Sequence, residues 1–141
     1  MKTLPDLGYD RVRAHTAPVV NARIDRQTEG AMHRALTSEE TAGTRLAELD
    51  REWDIDRALM AFAGAAGSVS LYAGRFKNRK WFYLLGVQLG FLVAHAATGW
   101  CPPVALFRRM GVRTRQEIDA ERQALQAVLR EKLLPAGTVG A

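Results

Sequence analysis

The chain has 141 residues, of which 48% are hydrophobic and 25% charged, and its 20 Lys and Arg against 15 Asp and Glu leave a net charge of +5. One cysteine excludes an intramolecular disulfide and any multi-cysteine metal site. The basic residues build neither a continuous basic helix nor an aromatic platform, so nucleic acid is not an expected partner. The apolar residues concentrate between Ala58 and Leu106, with charged segments on both sides.

Taken in chain order, residues 1–18 read as a poorly ordered lead-in interrupted by Pro5, Gly8 and Pro18, with no apolar core of a secretory signal. Residues 21–36 carry Ile24, Ala31 and Ala35 near helical spacing, which predicts a modest amphipathic helix. Thr37 followed by Glu40 reads as a capping box opening a second helix, whose apolar stripe is Ala42, Leu46, Leu49 and Trp53. No Gly or Pro follows Trp53, so this helix is expected to run on into the next segment.

Residues 58–74 are uncharged but short and rich in small side chains; residues 81–100 are longer, more apolar and framed by Trp81, Tyr83 and Trp100. At 1.5 Å per residue, ~20 apolar residues cross a hydrocarbon core of roughly 30 Å. The sequence predicts an all-α protein: a two-span transmembrane helical hairpin (residues 55–106) flanked by amphipathic helical arms (1–54 and 107–141). The six-residue connection from Arg75 to Lys80 makes the spans antiparallel neighbours. Gly86 and Gly90 form a GxxxG pair that Ala94 and Thr98 extend, and Ala61, Gly64, Ala65 and Ser68 offer a comparable surface on the first span, either for the hairpin seam or for a dimer. Gln88 and His95 are the intramembrane polar candidates, expected to bond between helices.

Arg75, Lys77, Arg79, Lys80, Arg108 and Arg109 form a basic collar suited to lipid head groups. The topology rules conflict, because the basic loop argues for its own cytoplasmic placement while the arms also carry Arg51, Arg57, Arg113 and Arg115. The reading adopted is an inner-membrane, multi-pass protein with both termini cytoplasmic. Pro102 and Pro103 should stop the second span near Trp100, and Thr114 with Glu117 reads as a capping box for a last amphipathic helix ended by Pro135 and Gly137.

The sequence Gly99-Trp100-Cys101-Pro102 closing the second apolar helix, followed by a short apolar stretch and Gly111-Val112, resembles the YgaP-like inner-membrane transmembrane domain. That family is a small helical hairpin of unknown function, found alone or behind a rhodanese domain. The resemblance covers about residues 52–115; it departs in a weak first span, an unusually basic linker, and Arg115 where some relatives have a second cysteine, which argues against a dithiol switch. The N-terminal arm is too short for a rhodanese domain and holds no cysteine, so sulfurtransferase activity does not carry over.

Cys101 is the candidate thiol: a thiolate beside Arg108 and Arg109 on one reading, a small packing residue on the other. No Ser/His/Asp arrangement, phosphate loop, metal-ligand spacing or cofactor motif is evident, and no catalytic residue is assigned. The preferred reading is a non-enzymatic membrane anchoring or interaction module whose partners are the lipid bilayer and either a second copy or another membrane protein. The alternatives are a sulfur-handling or redox accessory acting through Cys101, and a soluble helical bundle.

Overall fold

The computed structural model describes residues 9–133, which fold entirely as helices: α1 (Arg11–Ala14), α2 (Pro18–Ala35), α3 (Glu39–Arg51), α4 (Ile55–Phe76), α5 (Trp81–Thr98), α6 (Pro102–Met110) and α7 (Arg115–Leu133). Pro5 and Gly8 of the lead-in lie outside the described residues; from Tyr9 on it is more ordered than its composition suggests. Asp10 accepts from the Arg13 amide to cap α1, and Pro18 occupies the first turn of α2, where its missing N–H costs nothing. Pro135 and Gly137 lie outside the described residues.

The start of α3 is one residue later than the sequence suggested. Thr37 is still bonded to the preceding helix through Arg34, while the extended Ser38 accepts from the Thr41 amide at 3.2 Å and Thr41 Oγ1 accepts from the Ser38 amide at 3.1 Å. The expected continuous passage from α3 into α4 is also corrected. Glu52 is extended, the Ile55 amide donates to the Arg113 carbonyl at 3.0 Å, and Asp54 caps α4 by accepting from the Arg57 amide at 2.7 Å. A helix can thus end without Gly or Pro when its next amides find better partners elsewhere.

The two arms are one body. Ala35, Leu49, Ile118 and Leu125 from α2, α3 and α7 form a buried core, with Met32, Leu36 and Leu46 packed against it. Through this core α7 packs on the N-terminal arm. The expected boundary after Leu106 falls inside α6, which closes the bundle against the hairpin. At α7 the anticipated capping box is present: Thr114 Oγ1 accepts from the Glu117 amide at 3.3 Å and the Glu117 carboxylate accepts from the Thr114 amide at 2.9 Å.

The antiparallel helices α4 and α5 project from this bundle. α5 is the one helix among the described residues that is long and apolar enough to cross a membrane, and none of its residues is buried within the chain. The seam between the two helices is not the one expected from GxxxG. On α5, Leu85, Gln88, Leu92 and His95 are the half-buried residues, whereas Gly86, Gly90, Ala94 and Thr98 are exposed and a Cβ at either glycine would meet nothing within 4 Å. On α4, Ala61, Gly64, Ala65 and Ser68 likewise face outward. The close approach is made instead at Gly67, beside Leu85 and Gln88, and at Gly74, where a Cβ would sit 3.0 Å from the Phe82 ring.

The rotation has a polar cause. Gln88 Nε2 donates to Ser70 Oγ at 3.2 Å, and His95 Nε2 lies 3.1 Å from Asp56 Oδ1. Burying a polar group without a partner costs free energy, and the face carrying Gln88 and His95 turns inward to meet Ser70 and Asp56 while the small-residue face turns out.

Candidate functional site

The residues singled out by the sequence converge where the hairpin meets the bundle, and the Gly-Trp-Cys-Pro segment is the joint. Gly99 ends α5 with φ +74°, and a Cβ there would lie 2.6 Å from the Arg11 Cβ. Both the left-handed backbone and the closeness of α1 require glycine at this position. The Arg11 guanidinium reaches the last carbonyls of α5, at 3.4 Å from Ala96 O and 3.5 Å from Ala97 O. Trp100 is 45% exposed.

Cys101 turns the chain inward. It is 0% exposed and packs with Ile55, Leu59 and Val104, with Val12, Leu92, Phe107 and Val112 around that cluster. Burial pushes its thiol above the ordinary value. The electrostatic basis for a reactive thiolate is corrected by the position of Arg108, whose guanidinium is committed elsewhere. Pro102 then opens α6 in the same way that Pro18 opens α2: the prolines do stop the span, and they also start the next helix. The ending of α6 accounts for Gly111-Val112. Gly111, at φ +95°, donates its amide to Arg108 O at 3.0 Å, Val112 donates to Phe107 O at 3.0 Å, and the Val112 side chain joins the cluster around Cys101.

Beneath the joint is a buried charge network that sequence reading missed. Arg108, expected at lipid head groups, is 1% exposed and donates to both oxygens of Glu117 at 2.7 and 2.9 Å, to Asn21 Oδ1 at 2.7 Å and to Val112 O at 3.2 Å. Glu117 also accepts from Arg13 at 2.8 Å, and Arg13 holds both oxygens of Asp25 at 2.8 and 2.6 Å. Burial alone would raise the Glu117 carboxyl, but the hydrogen bonds and charge of Arg108, the Thr114 amide and Arg13 hold it below the ordinary carboxylate range. A second group joins Arg113 to Glu121, to Glu52 at 2.7 Å and to Thr28 at 3.1 Å, while Arg45 grips Glu121 at 2.8 and 3.2 Å. Thr114 Oγ1 donates to Asp10 Oδ2 at 2.6 Å and ties the start of α7 to the N-terminal arm.

Of the other predicted residues, Arg75, Lys77, Arg79, Lys80 and Arg109 are exposed, the first four at the far end of the hairpin and Arg109 beside the joint. Gln88 and His95 share the α4–α5 seam with Ser70 and Asp56, partners that the sequence reading had not assigned to them. The seven-residue interval between Gln88 and His95 places them on one helix face and was the available signal. Gln88 Oε1 and His95 Nδ1 are buried without a hydrogen-bond partner. His95 and Cys101 are brought to the same end of the hairpin but into different surroundings, the seam beside Asp56 and the apolar cluster. No group of three or more metal-ligating side chains occurs among the described residues.

Neither the curated proteins nor the solved structures contain a match to this chain. Among protein-family models, the one described as "Inner membrane protein YgaP-like, transmembrane domain" matches residues 54–117. That segment begins at the Asp54 cap of α4 and ends at Glu117, the buried partner of Arg108. It therefore takes in the hairpin, α6 and the anchor that fastens α6 to α7. Residues 54–117 thus form a transmembrane domain of the YgaP-like inner membrane protein type.

Proposed function

We propose that this protein is a membrane anchoring and interaction module: α4 and α5 both cross the inner membrane, and the helical bundle is held at one surface for assembly with a second copy. The observation that carries this reading is the outward orientation of the small-residue faces. Gly86 and Gly90 have open space above them although the hairpin has already formed, which leaves a close-approach surface for another helix. α4 supports spanning through its 22 residues, a length of about 33 Å, and through the outward-facing Met60, Val69, Leu71 and Tyr72.

Both ends of the hairpin enter the same bundle, which favours termini on one side. The side is assigned as cytoplasmic because Arg51, Arg57, Arg109 and Arg115 lie near the span ends there, in addition to the paired Arg108 and Arg113, against four basic residues in the loop. The assembly is tested by carbonate extraction and chemical crosslinking in membranes. Carbonate-resistant protein that crosslinks as a dimer, with the dimer lost in a Gly86→Leu/Gly90→Leu variant, is the expected result; a crosslinking pattern unaffected by that variant overturns the seam. For topology, Asn78→Cys and Ala141→Cys are labelled in a Cys101→Ala background with a membrane-impermeant maleimide. Labelling of Asn78→Cys alone from outside is expected, and labelling of Ala141→Cys alone reverses the orientation.

A further inference from the structure

Beside the joint lies a cavity of about 180 Å³, between the α1–α2 connection and α6. Its apolar wall includes Val12, Val20, Val104 and Ala105, Trp100 lies at its edge, and no carboxylate lines it. The charged or titratable groups lining it are His15, Arg108 and Arg109. Arg109 is exposed and its guanidinium has no ion-pair partner among the described residues. Arg108 has used four of its donors on Glu117, Asn21 and Val112, and the remaining one, Nε, is buried and unpartnered. His15 Nδ1 is 2.8 Å from Arg11 O, which leaves Nε2 available.

We propose that this cavity binds the head group of an anionic phospholipid, with the phosphate against Arg109 and the glycerol region against the valine and alanine wall. This rests on the membrane reading above, and three observations carry it further. Arg109 is the cavity's one cation without a carboxylate, whereas the buried Arg108 and Arg113 are neutralised by Glu117 and by Glu52 and Glu121. It adjoins Trp100, two residues beyond the end of α5, which places it at head-group depth if α5 spans. Exposed apolar side chains neighbour its lining residues along the chain: Val19 precedes Val20 on α2, and Leu106 and Met110 stand one turn apart on α6, which suits this part of the bundle to a bilayer surface. A volume well below the ~300–1,000 Å³ of drug-sized sites suits a head group better than an entire lipid.

The experiment is native mass spectrometry of the full chain released from nanodiscs of equimolar phosphatidylglycerol and phosphatidylcholine. The wild-type chain should retain phosphatidylglycerol preferentially. Arg109→Gln should lower that retention about fivefold, the effect of one basic residue at an anionic surface. Ala105→Phe, which fills the cavity without changing charge, should lower it comparably, and Arg130→Gln, at an exposed position near the end of α7 outside the basic collar, should leave it unchanged. Equal retention of the two lipids overturns the proposal, as does a loss in the α7 variant matching that of Arg109→Gln, or retention indifferent to Ala105→Phe. Displacement of the lipid by millimolar inorganic phosphate shows a free-phosphate site and also overturns it. Carbonate extraction of the same preparations separates the two failures: protein that resists extraction yet shows no lipid preference refutes the cavity alone, and protein that is extracted refutes the membrane reading with it.

Discussion

Gly99, Cys101 and Gly111 are determined by different physics although they lie within one short segment. Gly99 and Gly111 hold left-handed backbone, and at Gly99 the space for a Cβ is already occupied by Arg11. Gly99→Ala is expected to lower stability by at least ~1 kcal/mol from backbone strain alone, and more from the displacement of α1, measured as a lower thermal midpoint in detergent. Cys101 is enclosed by its placement. With its thiol buried and its pKa raised, it should react with maleimide only as fast as the fold opens, and denaturant should release full reactivity. Rapid labelling of the folded protein would contradict the packing role and restore the thiol chemistry that its position in the sequence suggested. Cys101→Ser puts a hydroxyl into the cluster of Ile55, Leu59 and Val104 and should cost about 1–3 kcal/mol.

Between elements, the pairing of α4 with α5 is governed by where the polar side chains go. Gln88 and His95 face Ser70 and Asp56 across the seam. Gln88→Leu removes one interhelical hydrogen bond but also removes the unpartnered Gln88 Oε1, so its expected effect on hairpin stability is within about 1 kcal/mol, read by steric-trapping or denaturant unfolding. Gly74→Leu has a different expectation, since the Phe82 ring already fills that space: the seam must open there, with a cost of about 1–3 kcal/mol. Leucine at Gly86 and Gly90 meets open space and should leave the unfolding of the monomer unchanged while abolishing crosslinked dimer. The contrast between Gly74 and Gly86 separates the intramolecular seam from the intermolecular one.

At the scale of the whole molecule, the bundle is fastened to the hairpin by buried ions. Glu117 serves Arg108, Arg13 and the Thr114 amide together, joining α6, α1 and α7. Its native pKa lies below that of the unfolded chain, so its contribution is complete above the unfolded value of about 4.3 and disappears as pH falls through the native value. Stability should therefore decline on acidification below about pH 4.3, and Glu117→Gln should flatten that decline while costing about 3–5 kcal/mol near neutrality, because Arg108 is left buried and unneutralised. Denaturant titrations at a series of pH values measure both effects.

Helices α2, α3, α4, α5 and α7, the α7 capping box and the family resemblance were legible because each rests on local spacing: period-3.6 apolar positions, Thr114 with Glu117, and Gly99-Trp100-Cys101-Pro102; the short α1 and α6 were not. The break at Glu52–Asp54 was not legible, because the Arg113 carbonyl that captures the Ile55 amide is far away in sequence. The same limit applied to the faces. GxxxG marks a side of α5 that can be approached closely, but the competing demand of Gln88 and His95 for polar partners decided which side met α4. It applied again to Arg108, which beside Arg109 reads as one more basic residue at a span end. By itself, then, the sequence determined the five longer helices, the apolar span and its end before Pro102 and Pro103, since those depend on neighbours along the chain. The tertiary structure decided which charges are buried, which helix faces meet and that the two arms form one bundle, since the cost of an unpaired polar group is set by partners distant in sequence.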